Sequence, residues 1–356
     1  MGMEKVLGID LNTLTPIGRS AYLGLLTPTG RQVKIILARG TEILPLQEAA
    51  TLRRRLVEEL TVTAGLPVPF ADEIASGPCT FEGSDAWAFV NSYVPGADLT
   101  RIARSLAPGQ DSGLADGIGQ AAGVSLAAVH SASQPLAATL RHKEDAELVD
   151  QDITWREATL TRQEGVARRV HEASKITALD DRQLRRAHSL AAAFTGRFRT
   201  TFHPTAGPAP ACLIHKDLHG GNIILDTSAP PDTWIASFID DQLSVGDSGY
   251  DIASIHAWAF EVMDKKSFMA FSHGLERGYK SLIPNCALRS CDLLLYLADR
   301  SLGRLAYYAR SAPKWIEPYG SERLIRHLDL LDCIASTAGS PDSIIDPFTT
   351  VRRLAT

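Results

Sequence analysis

His215-Lys216-Asp217-Leu218-His219-Gly220-Gly221-Asn222 is flanked by two short apolar runs, Ala211 to Ile214 before it and Ile223 to Leu225 after it. Runs of this length bounded by turn residues read as buried strands, so the octapeptide is a polar loop between two strands. A turn-rich segment then leads to a third run, Trp234 to Ile239, which ends on Asp240. An aspartate, an asparagine five residues on and a second aspartate are thereby brought to one mouth. One carboxylate there can orient a hydroxyl and take its proton, while an amide oxygen and a second carboxylate are hard donors suited to Mg2+. Phosphoryl transfer from a nucleoside triphosphate needs both. Asp217 is the candidate base, and Asn222 and Asp240 are the candidate metal ligands.

Upstream, Ser20 to Leu26 and Gln32 to Ala38 are strand-like around the turn Pro28-Thr29-Gly30, a hairpin carrying Lys34 in its second strand. From Pro45 to Thr63, apolar residues at Leu46, Ala49, Ala50, Leu52, Leu56 and Leu60 have helical spacing, and Arg53, Arg54, Arg55, Glu58 and Glu59 fall mostly elsewhere. Gly65-Leu66-Pro67-Val68-Pro69 ends that helix. Two more strands follow, Ile74 to Phe81 and Trp87 to Val94, around Glu82-Gly83-Ser84-Asp85. Glu48, early in the helix, is a candidate partner for Lys34, because such an ion pair holds a lysine against the α- and β-phosphates. Singly, Lys34 also suits a solvated edge strand, and Glu48 a helix start favoured by the dipole. Their order, ahead of a hinge, is what links them.

Pro95-Gly96 is that hinge. Beyond it the pattern turns helical: Ile102 to Ser131, Asp180 to Phe202, and three helices after Asp251, with Gln134 to Asp152 read as loop plus a short helix. The expected fold is α+β and bilobal: a β-rich N-lobe with one main helix over residues 1–94, and a larger, mostly helical C-lobe over 95–356. The C-lobe holds the loop region 212–243 and acceptor-side helices over 251–340.

Composition narrows the class. The chain has 356 residues, 45% apolar and 22% charged, which excludes wholesale disorder and favours two lobes over one small domain. A net charge of −5 argues against nucleic acid or anionic membrane as partner. No signal sequence or spanning stretch is evident, and the 5 scattered cysteines form no C-x-x-C pair. The expectation is a cytoplasmic protein whose cysteines are reduced, of open oligomeric state.

The pattern H-x-D-x-x-x-x-N is the catalytic-loop spacing of protein kinases. With QVKIILA, QEAATLRRRL followed by GLPVP, FVNSYVPGADL, LAAVHS, HKDLHGGNII, FIDD and GDSGYDIAS, the sequence resembles the aminoglycoside phosphotransferase family, small-molecule kinases that share the bilobal protein-kinase-like fold. The resemblance implies Asp217 as base, Asn222 and Asp240 as Mg2+ ligands, Lys34 as phosphate clamp with Glu48 as its partner, and Ser92, Tyr93 and Val94 as backbone contacts to the base of ATP or GTP. It implies a bracing role for His215. Asp247 and Asp251 read as a helix N-cap and a first-turn acid. Three features depart from the family. Lys216 adjoins the base, and either meets the γ-phosphate or points to solvent. Asp241 follows the metal aspartate, as added charge or an outer ligand. No G-x-G-x-x-G is present, and Thr15 to Ser20 stands there instead, leaving Ser20 as the candidate phosphate cover.

The acceptor is read from charge. Residues 251–356 hold 13 basic and 12 acidic side chains. A polycationic aminoglycoside calls for a clearly acidic site, so a weakly charged antibiotic of nucleoside or macrolide type fits better. Antibiotic inactivation is the leading reading. The alternatives are a metabolic kinase for homoserine, choline or a sugar, and a catalytically idle nucleotide-binding module. Trp258, Tyr279 and Tyr296 read mainly as helix-packing core, with any excess of rings suiting a ring-bearing acceptor.

Overall fold

A computed structural model describes residues 14–17, 21–26, 29, 31–63, 69–107, 111–141, 180–201, 211–215, 217–228, 230–239, 243–284, 290–316, 322–337 and 347–354. Ser20, Lys216, Asp240 and Asp241 lie outside them.

The N-terminal region is a five-stranded antiparallel sheet in the order β1-β2-β3-β5-β4, from β1 (Thr15–Pro16), β2 (Ala21–Leu26), β3 (Arg31–Ala38), β4 (Glu73–Phe81) and β5 (Ser84–Ser92). Alternation along β3 sends Val33, Ile35 and Leu37 to one face, where they bury against Cys79, Ala86, Ala88 and Val90. Lys34 and Ile36 take the other face, towards helix α1 (Ile43–Thr63). A register shift between Glu73 and Ala75 places Glu73 opposite Asn91, which is itself opposite Lys34. Lys34, Asn91 and Glu73 therefore form one row across three strands.

Helix α1 joins both halves. Ala50 packs under the sheet, whereas Leu56 and Leu60, with Phe70, belong to the large core of the helical region. The chain then passes Gly96, whose φ of 123° no L side chain adopts readily, and where a Cβ would lie 2.5 Å from the Leu225 carbonyl oxygen. Strand β6 (Ala97–Asp98) follows, with α2 (Leu99–Ser105) capped by Asp98. The single helix expected over 102–131 is thus two, the second being α3 (Ser112–Arg141). This helix runs through Pro135 into the stretch assigned from sequence to loop plus a short helix.

After α4 (Asp181–Thr201) come β7 (Ala211–Ile214), β8 (Ile223–Leu225), β9 (Ala236–Phe238) and β10 (Ser244–Asp247); β7 pairs with β10, and β8 lies between β6 and β9. Helices α5 (Ser248–Val262), α6 (Lys265–Leu282), α7 (Ser290–Ile316), α8 (Glu322–Thr337) and α9 (Pro347–Leu354) complete the helical region. This is the bilobal kinase-like architecture. Among the described residues no helix is long and apolar enough to cross a membrane.

Helices α3 and α6 interlock through four glycines. A Cβ on Gly119 would sit 2.1 Å from the Phe271 carbonyl oxygen, and one on Gly274 would sit 1.9 Å from that of Asp116, with Gly123 and Gly278 repeating the contact one turn on. Gly274→Val is expected to cost about 3 kcal/mol, because backbone rather than a movable side chain must yield. Gly303→Ala on α7, where nothing lies within 4 Å, is expected to be neutral or to gain up to about 1 kcal/mol. Denaturant midpoints check both.

Candidate active site

The loop after β7 is held from below. Asp247 caps α5, its carboxylate accepting from the Gly249 N–H at 2.8 Å and from the Tyr296 hydroxyl at 3.1 Å. One turn into α5, Asp251 is buried at 1% exposure and accepts from the His215 N–H at 2.8 Å. His130 of α3 reaches the same carboxylate oxygen at 3.3 Å, and its other ring nitrogen bonds the Tyr279 hydroxyl of α6. Asp251 is thus more than a first-turn acid. It ties three helices to the start of the loop.

The loop is braced from above as well. His215 Nε2 donates to the Ile239 carbonyl at 3.0 Å, and the Ile239 N–H donates to the Asn222 carbonyl at 3.0 Å. Asn222 is buried, and its Nδ2 donates to the Asp217 carbonyl at 3.0 Å. That bond fixes the amide, leaving Oδ1 as the atom able to meet a cation. Gly220 packs on the Trp258 ring, where a Cβ would come within 2.1 Å, and the indole N–H is held by Thr100. Trp258, Tyr279 and Tyr296 are all buried, so they are core.

Asp217 emerges from this frame with its side chain 55% exposed. Arg300 of α7 stands 3.5 Å from one carboxylate oxygen and bonds the Tyr250 hydroxyl at 3.0 Å. Burial works against the Arg300 charge, but Tyr250, Asp299 and Asp217 outweigh it and raise the pKa. His219 Nε2 lies 3.8 Å from the other oxygen. Burial, followed by the charge of Arg304, lowers its pKa despite Asp217. A histidine lowered from its usual value is neutral near pH 7.

An open cleft lies between the sheet and the loop region. Leu23, Lys34 and Ile36 line one side, Asn91 to Val94 the back, and Ile224, Phe238 and Ile239 the opposite side. The sequence-expected Lys34, Ser92, Tyr93 and Val94 therefore share one cavity, and Asn222 is linked to its wall through Ile239. The Ser92 and Tyr93 N–H groups are already taken by the Asp72 and Gln32 carbonyls. Glu48 is the exception: it is exposed, and among the described residues no ion pair joins it to Lys34. The side chain that α1 sends into the cleft is Arg53, only 8% exposed, one of the charges that the sequence pattern sets mostly off the apolar stripe. Its Nη2 donates to Asn91 Oδ1 at 2.7 Å and lies 3.5 Å from Glu73. Arg300, Arg53, Asn91 and Glu73 were missed by sequence reasoning. Arg53 could have been found, since it continues the stripe Leu46, Ala50, Leu56, Leu60.

The fold and this site together define a bilobal phosphotransferase. The chain belongs to the phosphotransferase enzyme family, whose family model matches residues 43–287, more than half of its length. Two of the many solved structures that share the fold illustrate it. One is a microcompartment-associated aminopropanol kinase, at 16% identity and a TM-score of 0.52 with 93% of each chain covered. The other is a spectinomycin phosphotransferase in complex with ADP and spectinomycin, at 14% identity and a TM-score of 0.52, covering 95% of this chain and 96% of that one. No curated protein matches the sequence.

Asp251→Ala would strand the His215 N–H and the His130 ring in a dry interior. It is expected to cost about 3 kcal/mol or more. Asp251→Asn, which keeps an acceptor, is expected to recover part of that loss in chemical denaturation.

Proposed function

We propose that this phosphotransferase moves the γ-phosphate of ATP or GTP to a hydroxyl of a small, weakly charged, antibiotic-like molecule in the cytoplasm and inactivates it. The observation that carries this reading is the hydrogen-bonded loop in which Asp217, among the described residues, is the exposed one, beside Asn222 and near the cleft of Lys34 and Val94. In this reading the nucleoside lies between the apolar walls of Leu23 and Ile36 on one side and Ile224 and Phe238 on the other. The Val94 backbone serves the base, and Lys34 serves the phosphates. Asp217 accepts the acceptor's hydroxyl hydrogen bond, aims its oxygen, and takes the proton as the new O–P bond forms. Asn222 Oδ1 and the Asp240 carboxylate are hard oxygens that suit Mg2+, which would supply charge neutralisation on the phosphates.

The acceptor class rests on charge. Arg300 and Arg304 stand around Asp217 and His219, an environment that repels a polycation and tolerates a neutral or weakly charged molecule. The solved relatives named for aminopropanol and for spectinomycin both support a small hydroxyl-bearing acceptor, and between them they span the metabolic and the resistance readings.

A screen of ATP and GTP against antibiotics, amino alcohols and sugars, read by mass gain of one phosphate, tests this. Product is expected with a weakly charged antibiotic; product only with an amino alcohol or sugar makes it a metabolic kinase, and none with any acceptor contradicts transfer. Asp217→Asn is expected to lower kcat by about 10²- to 10⁴-fold while nucleotide affinity holds. An unchanged kcat would remove Asp217 from the reaction.

A further inference from the structure

Asn91 stands on β5 directly across from Lys34 on β3, and residues paired across strands send their side chains to the same face. Both line the cleft. A lysine carries its charge outward on a four-carbon stem, whereas an asparagine is short and stays at the wall. That back wall continues through Ser92 and Tyr93 to Val94, whose backbone serves the base in the proposed complex. Asn91 is thereby set against the edge of the base, behind the phosphates. It is buried, so a polar group brought against it has little water to turn to.

The orientation of the Asn91 amide follows from its neighbour. Arg53 Nη2 approaches to 2.7 Å, and a guanidinium only donates, so the atom it meets is the oxygen, Oδ1. What Asn91 can offer a ligand is then its N–H2, which also only donates. An unengaged asparagine amide suits adenine, accepting from the 6-amino group while it donates to N7. Here Arg53 takes the accepting half. The remaining half matches guanine, which presents two acceptors, O6 and N7, on that edge. Adenine would set its amino hydrogens against the Asn91 N–H2, and two donors facing each other away from water cost affinity. The Ser92 and Tyr93 N–H groups do not supply that donor instead, because the Asp72 and Gln32 carbonyls hold them.

We infer that the Asn91 amide selects the phosphate donor, favouring a 6-oxopurine nucleotide, GTP, over ATP. The inference rests on the reading of the cleft as the nucleotide site and narrows it to one class of base. Arg53 acts here through Asn91, as a positioning residue, and needs no bond of its own to the nucleotide.

Calorimetric titration of the full-length protein with GDP, ADP and inosine diphosphate, which keeps O6 but lacks the 2-amino group of guanine, tests this. GDP and inosine diphosphate are both expected to bind about 10- to 100-fold more tightly than ADP. Asn91→Leu is expected to remove that preference, mainly by weakening the two oxopurines. Because leucine leaves Arg53 without its acceptor, Asn91→Asp is the second variant: one carboxylate oxygen stays on Arg53, and the other puts an acceptor where the N–H2 stood. It is expected to reverse the order in favour of ADP, a change that a damaged fold does not produce. ADP binding as tightly as GDP to the wild-type protein would overturn the inference. So would inosine diphosphate binding as weakly as ADP, which would place the selection at the 2-amino group, or an order left unchanged in Asn91→Asp. Failure of the wild-type protein to bind any of the three, or ATP and GTP, would instead overturn the donor-site reading beneath it.

Discussion

The loop that carries Asp217 is held by one buried carboxylate. Asp251 has no exposed surface to speak of, so its cost of burial must be met by donors, and the donors it finds are the His215 N–H and the ring of His130. The first belongs to the loop that carries Asp217, and the second to the long helix α3, which locks glycine against backbone onto α6. The loop is therefore referenced to a helix pair packed glycine against backbone. Preorganisation of this kind lets an exposed aspartate keep one orientation without the help of substrate.

The two halves of the chain meet over the same loop. Ile239 accepts from His215 and donates to Asn222, and it also lines the cleft whose far side is β3. The Phe238 N–H reaches the Pro69 carbonyl at 2.7 Å, and Phe238 packs edge-on against Phe70. Movement of the sheet relative to the helices would thus be felt at the loop directly. Gly96, in a backbone conformation and a space that admit no side chain, is the place where the chain crosses between them.

Much of this is legible in the sequence. Apolar runs on either side of His215 to Asn222 place the loop between strands, and alternation in Gln32 to Ala38 puts Lys34 on the face opposite Val33 and Ile35. Fold and family follow from such local patterns. What escapes is set by register and by long-range packing. Nothing local in Glu73 and Ile74 announces a register shift, so sequence reasoning looks for the acid on the helix itself, at Glu48. Arg53 is hidden by its neighbours: within Arg53-Arg54-Arg55 a charge at a core-facing position is masked by two at solvent-facing ones. Likewise, Arg300 comes from a helix 83 residues beyond Asp217, a distance over which no spacing rule operates. Asp251 is recognisable as a helix-start acid, but its burial depends on His130, far away in sequence.

Central to the proposal is that Asp217, Asn222 and the cleft lined by Lys34 serve one bound triphosphate. A crystal structure with Mg2+ and a non-hydrolysable ATP or GTP analogue measures that most directly. The expected complex has the base between Leu23 and Phe238, the inner phosphates against Lys34, and the terminal phosphate facing Asp217. A triphosphate seated elsewhere, or one whose terminal phosphate points away from Asp217, would contradict it.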